Sequence, residues 1–265
     1  MKITILNPDT VRDLYKNHGL FASVCYGQAD KANPETVGHH CATSGHMSGS
    51  RAEYIKFYIQ DVDRGTTEQC LRSEVGVSVS PIYLDNYSYA TEMERWIDIN
   101  PSNIVKNVRS FRYCDETNFA FHTPSLIKNS PAAYDIYNSA MVQLNDARSR
   151  IKEVLLDEGE DSGKVNEAVN FLLPRATLSD FCIAFSPEAL ISFMNKRLCA
   201  RAQEEIREVA KAMRAEVAKY NERFARELVP SCERLLYCPE SKGCGRALSK
   251  EKVRALLKQQ KNGEA

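Results

Sequence analysis

A run of strand character, Ala176 to Phe185, ends on Ser186-Pro187, and this junction leaves the chain little local choice. The serine hydroxyl can accept from an amide of the first helical turn, where backbone N–H groups lack intrahelical partners. Proline suits the first helical position because its missing N–H is one of those orphans. A helix is therefore predicted from Pro187 to Leu198, with Leu190, Phe193, Met194 and Arg197 near one side. Arg197 then emerges beside an apolar face, where a guanidinium needs an anion or several acceptors to offset its desolvation. Beyond it, charge pairs at helical spacing predict one long helix from about Ala200 to Leu228.

With 265 residues and 43% hydrophobic residues the chain can fill a core, and a second independent domain is not expected. Thirty-five basic and 35 acidic residues cancel, so nothing global attracts nucleic acid or an anionic membrane surface, and any anion site must be local. MKITILNPDT has no signal-peptide apolar core, and no apolar run approaches a bilayer span, so a cytoplasmic protein is expected. Nine cysteines, an odd number, read as reduced thiols rather than a secreted disulfide framework.

Alternation predicts a strand at Lys2 to Leu6, and Asn7-Pro8 a capped helix. Residues 27 to 50, rich in Gly, Ser, His, Asn and Pro, read as a long loop of functional character. Tyr54, Ile55, Phe57 and Ile59 mark a buried strand, and Asp63 a helix start that carries Gln69, Leu71 and Arg72. Pro81 to Val105, with Tyr83, Tyr87, Tyr89 and Trp96, reads as an ordered insert or a subunit contact. Phe111 to Phe121 reads as extended. A long amphipathic helix follows from about Ala132 to Leu156, and a shorter one from about Lys164 to Leu172.

Arg72, Arg112 and Arg197 all lie in or beside apolar elements, and convergent arginines suit a phosphate or carboxylate. Leu173-Pro174, Ser186-Pro187-Glu188-Ala189-Leu190, Phe193, Arg197 and Ala202-Gln203-Glu204-Glu205-Ile206-Arg207 follow one another in the last third, and Asn107 to Tyr113 reads NVRSFRY. In these elements the chain resembles the flavin-dependent thymidylate synthases, whose signature RHRxxSxNxxSxRY is interrupted here. Its start survives as Arg72-Ser73-Glu74 and its end as NxxSxRY, with the insert between.

The resemblance, over about residues 40 to 80 and 105 to 210, implies an α+β single-domain fold with a central mixed sheet and long helices. The domain would span residues 1–230, with insert 81–105, and residues 231–265 would form a cysteine-containing tail. It implies reductive methylation of dUMP to dTMP with FAD, NADPH and methylenetetrahydrofolate, in a homotetramer with interface-built sites. Nucleotide-binding residues would be Gln69, Arg72, Ser110, Arg112 and Arg197, while a further family arginine falls at Asn170. The flavin side would take His46 and Ser48 of the Gly-His-Met-Ser element, then Ser73, Glu74, Ser186 and Ser192.

Departures gather on that flavin side. Glu74 and Glu188 stand where the family has arginine, and Arg51-Ala52 where it has an acidic Glu-His pair. A pair of unit charges about 4 Å apart, at an effective dielectric near 20, is worth roughly 4 kcal/mol, so each reversal disfavours the usual FAD pose. Two alternatives follow: a divergent paralogue acting on another pyrimidine nucleotide or in a mixed oligomer, and a noncatalytic nucleotide-binding or scaffold protein. Separately, Cys232-x5-Cys238-x5-Cys244 lacks the CxxC pairs usual for zinc, and a fourth ligand would have to come from Cys199, Cys41 or a histidine. No metal ligand is assigned from sequence.

Overall fold

The computed structural model describes residues 1–25, 27, 33–46, 48–71, 104–111, 116 and 118–263. In chain order they form β1 (Lys2–Ile5), α1 (Pro8–Arg12), α2 (Leu14–Cys25), α3 (Pro34–Thr43), a 3-10 turn (Ser48–Ala52), β2 (Ile55–Asp63), α4 (Arg64–Leu71) and β3 (Ile104–Val108). There follow α5 (Ser125–Lys128), α6 (Pro131–Asp157), α7 (Ser162–Val169), a second 3-10 turn (Asn170–Leu172) and β4 (Leu178–Phe185). Last come α8 (Pro187–Arg197), α9 (Glu204–Ala218), α10 (Glu222–Glu227), α11 (Ser231–Leu235) and α12 (Lys250–Gly263). The fold is α+β, with long helices and one four-stranded sheet of order β1-β2-β4-β3.

Strands β2 and β4 run antiparallel: Arg64 N–H donates to the Thr177 carbonyl (2.9 Å) at one end, and the rings of Phe57 and Phe185 lie 6.4 Å apart at the other. Along β2 the buried positions are Ile55, Phe57 and Ile59, then Val62. The alternation slips by one residue because Asp61 takes a left-handed conformation (φ 57°), as an extra residue in a strand does. The Asp180 carboxylate accepts the Asp61 N–H at 3.0 Å and steadies this kink.

The described chain divides into two compact units. One comprises Met1–Ile3, Tyr58–Arg72 and Lys106–Cys182, and in it α6 packs on α5, α7 and the second 3-10 turn. The other includes Thr4–Phe57 and Ile183–Ala265; there α8 packs on α9, α11 and the first 3-10 turn, and α2 lies closely along α3. Helices α2 and α3 approach this closely because two glycines meet. A Cβ on Gly19 would fall 1.6 Å from the Pro34 carbonyl oxygen, and one on Gly38 would fall 1.8 Å from that of Tyr15.

Several expectations need correction. Residues 34–43, expected within a loop, form α3, because Asn33 caps it by accepting from the N–H groups of Glu35 and Thr36 and Pro34 opens the first turn. Asn7 does not cap α1; its amide donates to the Tyr54 carbonyl (2.7 Å) and its oxygen accepts from Lys56 N–H (2.9 Å), so tertiary bonds won over the local one. The single helix expected over 200–228 is α9 and α10, broken where Asn221 caps a new start by accepting from Phe224 N–H. Of Phe111 to Phe121, only Phe121 is paired as a strand among the described residues, in an isolated bridge to Thr177, while β3 lies earlier. Pro81 to Asn103 lies outside the described residues.

Candidate functional site

Helix α8 starts as its residues require. Ser186, fully buried, accepts from Ala189 N–H at 3.3 Å, and Pro187 occupies the first turn. Glu188 in that turn sits favourably against the positive end of the helix dipole, as Lys196 and Arg197 do against the negative end. Arg51, from the 3-10 turn, makes a forked ion pair with Glu188: Nε to Oε2 is 2.6 Å and Nη2 to Oε1 is 3.3 Å. Two of the positions read from the sequence as departures from the family's charges thus meet and neutralise each other. The repulsion expected from Glu188 is corrected by Arg51. The pair is about half exposed, so its contribution to stability is small.

The chain before that turn is held by a residue that the sequence reading missed. His18, in α2 and 2% exposed, hydrogen-bonds through Nε2 to the His46 carbonyl at 2.9 Å. Burial lowers its pKa, with the bond to His46 opposing. Gly49 is needed beside it, since a Cβ there would lie 2.8 Å from His18 Cδ2. The His46 ring itself is exposed, so it is the backbone of that loop, not the ring, that the fold anchors.

At its other end α8 delivers Arg197 to the wall of a cavity of about 530 Å³. The turn that follows is tied by Arg207, whose Nη1 donates to the carbonyls of Ala200 (3.0 Å) and Ala202 (3.4 Å), while Ile206 is fully buried. The Ala202 to Arg207 element therefore ties the turn between α8 and α9. Ser192 lies half-buried on the same helix. Among the described residues no group of three or more His, Cys, Asp or Glu side chains is drawn together to hold a metal as it stands.

Gln69 and Ser110 belong to the other unit. Gln69 rides half-buried on α4, which begins where Asp63 Oδ1 accepts from Thr66 N–H at 2.8 Å. Ser110 is exposed, beside Phe111, over whose ring the Arg64 guanidinium lies at 4.9 Å. Asn170, which the sequence reading sets against a family arginine, donates from Nδ2 to the Phe111 carbonyl and accepts from Arg148 Nη2 at 2.6 Å. Arg148, 4% exposed, also donates to the carbonyls of Val169 (3.2 Å) and Glu116 (2.8 Å) and lies over the Phe119 ring. Arg109 pairs with Glu116 at 2.9 Å. A cationic junction thus anchors the backbone next to Ser110. Its one sequence-level signal was an arginine inside an amphipathic helix, which spacing alone leaves as a surface residue.

Arg72, Ser73, Glu74 and Arg112 lie outside the described residues, as does the side chain of Ser48. Ser186, Ser192, Arg197 and His46 belong to one unit, with Ser186 and Arg197 at opposite ends of α8.

Comparison with known proteins now bears on this arrangement. The family model of the thymidylate synthase complementing proteins matches residues 15–221. A flavin-dependent thymidylate synthase of Pyrococcus abyssi is 31% identical over 219 residues, 80% of this chain and 76% of its own. One from Nitratidesulfovibrio vulgaris is 29% identical over 213 residues, 77% and 72% of the two chains. The fold is similar to that of the Helicobacter pylori flavin dependent thymidylate synthase complexed with FAD and dUMP, at TM-score 0.55 and 12% identity, covering 86% of this chain and 100% of that one. It is also similar to the UMP/dUMP methylase PolB of Streptomyces cacaoi bound with 5-Br dUMP, at TM-score 0.52 and 19% identity, covering 81% and 89%. Among the described residues no helix is long and apolar enough to cross a membrane. With residues 15–221 matched by the family model and a relative 31% identical over 80% of its length, the chain belongs to the flavin-dependent thymidylate synthase family.

Proposed function

We propose that the chain is a flavin-dependent enzyme that reductively methylates dUMP to dTMP. The observation that carries this reading is the Arg51–Glu188 ion pair. Taken alone, Glu188 would repel the anionic cofactor; paired, it leaves the start of α8 near neutral, and the buried Ser186 cap keeps the helix entry intact. The described residues at the start of α8 therefore fit an FAD.

FAD, when bound, supplies the hydride chemistry that no side chain offers, with NADPH as reductant and methylenetetrahydrofolate as one-carbon donor. The chain's own residues bind and orient. Arg197 holds the nucleotide phosphate, with Arg72 and Arg112 as further cations, and Gln69 and Ser110 fix the nucleotide by hydrogen bonds. His46, Ser48, Ser73 and Ser192 serve the flavin, Ser186 acts from beneath by capping α8, and the His18 bond keeps the His46 segment in place. The reading includes a cytoplasmic homotetramer with sites built between chains, and a domain 1–230 followed by a tail. Seven described cysteines, all free thiols, are consistent with a reducing compartment.

A second reading, that the nucleotide is another pyrimidine monophosphate such as UMP, is favoured by Asn170, which ties down the Phe111 backbone where the family has a nucleotide-gripping arginine. The deciding experiment is the absorbance spectrum after incubation with FAD and gel filtration, followed by assays with dUMP and UMP in parallel. Retained flavin with dUMP turnover is expected. A protein that stays colourless with added FAD would overturn the flavin reading, and turnover of UMP alone would replace the substrate.

A further inference from the structure

The cavity at the end of α8 has two walls of different origin. One comes from residues 195–202, inside the family match, and the other from residues 230–247, beyond its end at residue 221. Four cysteines line it: Cys199 from the turn after α8, Cys232 from α11, and Cys238 and Cys244 from the loop that follows. Chance seldom brings four cysteines from three segments to line one cavity.

The second wall lacks the usual means of staying in place. From Ser231 to Lys250 no residue is buried, so this stretch has no apolar core of its own. It is nonetheless folded back on α8. Ser231 Oγ donates to the Asn195 carbonyl at 3.2 Å, Arg201 donates to the Lys242 carbonyl, and Cys238 N–H donates to the Leu248 carbonyl at 2.7 Å. Within it the chain turns around one sulfur. A Cβ on Gly243 would lie 3.2 Å from Cys238 Sγ, and Gly245 takes φ +84°, so the backbone around Cys244 wraps the Cys238 thiol. Short coreless segments rich in cysteine are ordered by a disulfide or by a metal, and these thiols are free.

We propose that Cys199, Cys232, Cys238 and Cys244 form a structural zinc site that fastens the C-terminal tail to the end of α8. Four sulfur ligands suit Zn²⁺ in a closed tetrahedral site, and each thiol releases its proton to solvent as it binds. The sulfurs line the cavity without yet closing on one point; the ion closes them, as metal binding and local folding are coupled in small cysteine modules. Four thiolates around Zn²⁺ leave a net negative charge, and Arg201 and Arg246 on the same walls offset it. The site does not depend on the flavin reading.

The test is metal analysis of the full chain, purified in reductant and exposed to zinc, then dialysed. About one tightly held zinc per chain is expected. Cobalt in its place should give thiolate-to-metal absorption bands that zinc abolishes. Alkylation of the intact protein with and without zinc, read by peptide mapping, should show protection of Cys199, Cys232, Cys238 and Cys244, with no change at Cys182. Cys238→Ser and Cys244→Ser should bring zinc to background while Cys182→Ser retains it. A reduced wild-type chain that stays metal-free, serine variants that hold as much zinc, a Cys238–Cys244 disulfide, or iron in the site would each overturn the assignment.

Discussion

Arg148 and Arg51 are the same residue type put to opposite use. Arg148 is buried, and its fork is spent on the carbonyls of Val169 and Glu116 and on Asn170, three acceptors from two separate stretches of chain. Arg51 is half exposed and has one carboxylate partner, Glu188, at the start of α8. Burial makes the first an element of architecture; exposure leaves the second free to adjust local charge at little cost in stability. An arginine's role is set by its acceptors and its contact with water, and neither is written in the residue itself.

The strongest way to break this contrast is Arg148→Ala. Three acceptors lose their donor in a buried place, and urea denaturation should register a loss of about 3 kcal/mol or more. Arg148→Lys keeps the charge without the fork and should fall between. A loss below about 1 kcal/mol would mean that Arg148 belongs with Arg51.

Next in size is Arg197→Ala, which should weaken dUMP binding by roughly 2 to 5 kcal/mol in calorimetry if the guanidinium grips a desolvated phosphate. Unchanged affinity would remove it from the site. The exchange of charges can be tested directly. Arg51→Glu sets two carboxylates together and should weaken FAD binding about tenfold, on the order of 1.4 kcal/mol, and adding Glu188→Arg should restore it. Failure of the double variant to recover would mean that the pair does not govern the flavin. Arg51→Ala should shift unfolding stability by no more than about 1 kcal/mol.

The smallest effect concerns His18. Its folded pKa lies below the ordinary imidazole value of about 6.5, so the unfolded chain binds the proton more readily. Stability present above pH about 6.5 should therefore decline as pH falls below it and through the folded value. Thermal melts between neutral and mildly acidic pH should show that slope for the wild type and a flatter one for His18→Gln. Equal slopes would place the titrating group elsewhere.

What could be read without coordinates is local. Ser186-Pro187 predicted the start of α8, and Asp63 that of α4, because a side chain and an amide within one turn settle the matter. The same local rules misjudged Asn7, where bonds to Tyr54 and Lys56 replaced the cap, and the stretch around Asn221, where charge pairs concealed a break. The candidate site divides likewise. Arg197 at the end of α8 was legible from helical spacing, whereas the anchoring of the Ser110 segment by Arg148 and Asn170 was not.

The sequence by itself determined the starts of α4 and α8, the α+β class and the family, since these rest on neighbours a few residues apart and on motifs in fixed order. Only the tertiary structure decided that Arg51 meets Glu188 across 137 residues of chain, that His18 carries the His46 segment, and that four thiols line one cavity. Such pairings depend on how distant segments close upon one another. Spacing along the chain carries no record of that closure, because many partners satisfy a charge or a thiol equally well until packing leaves one within reach.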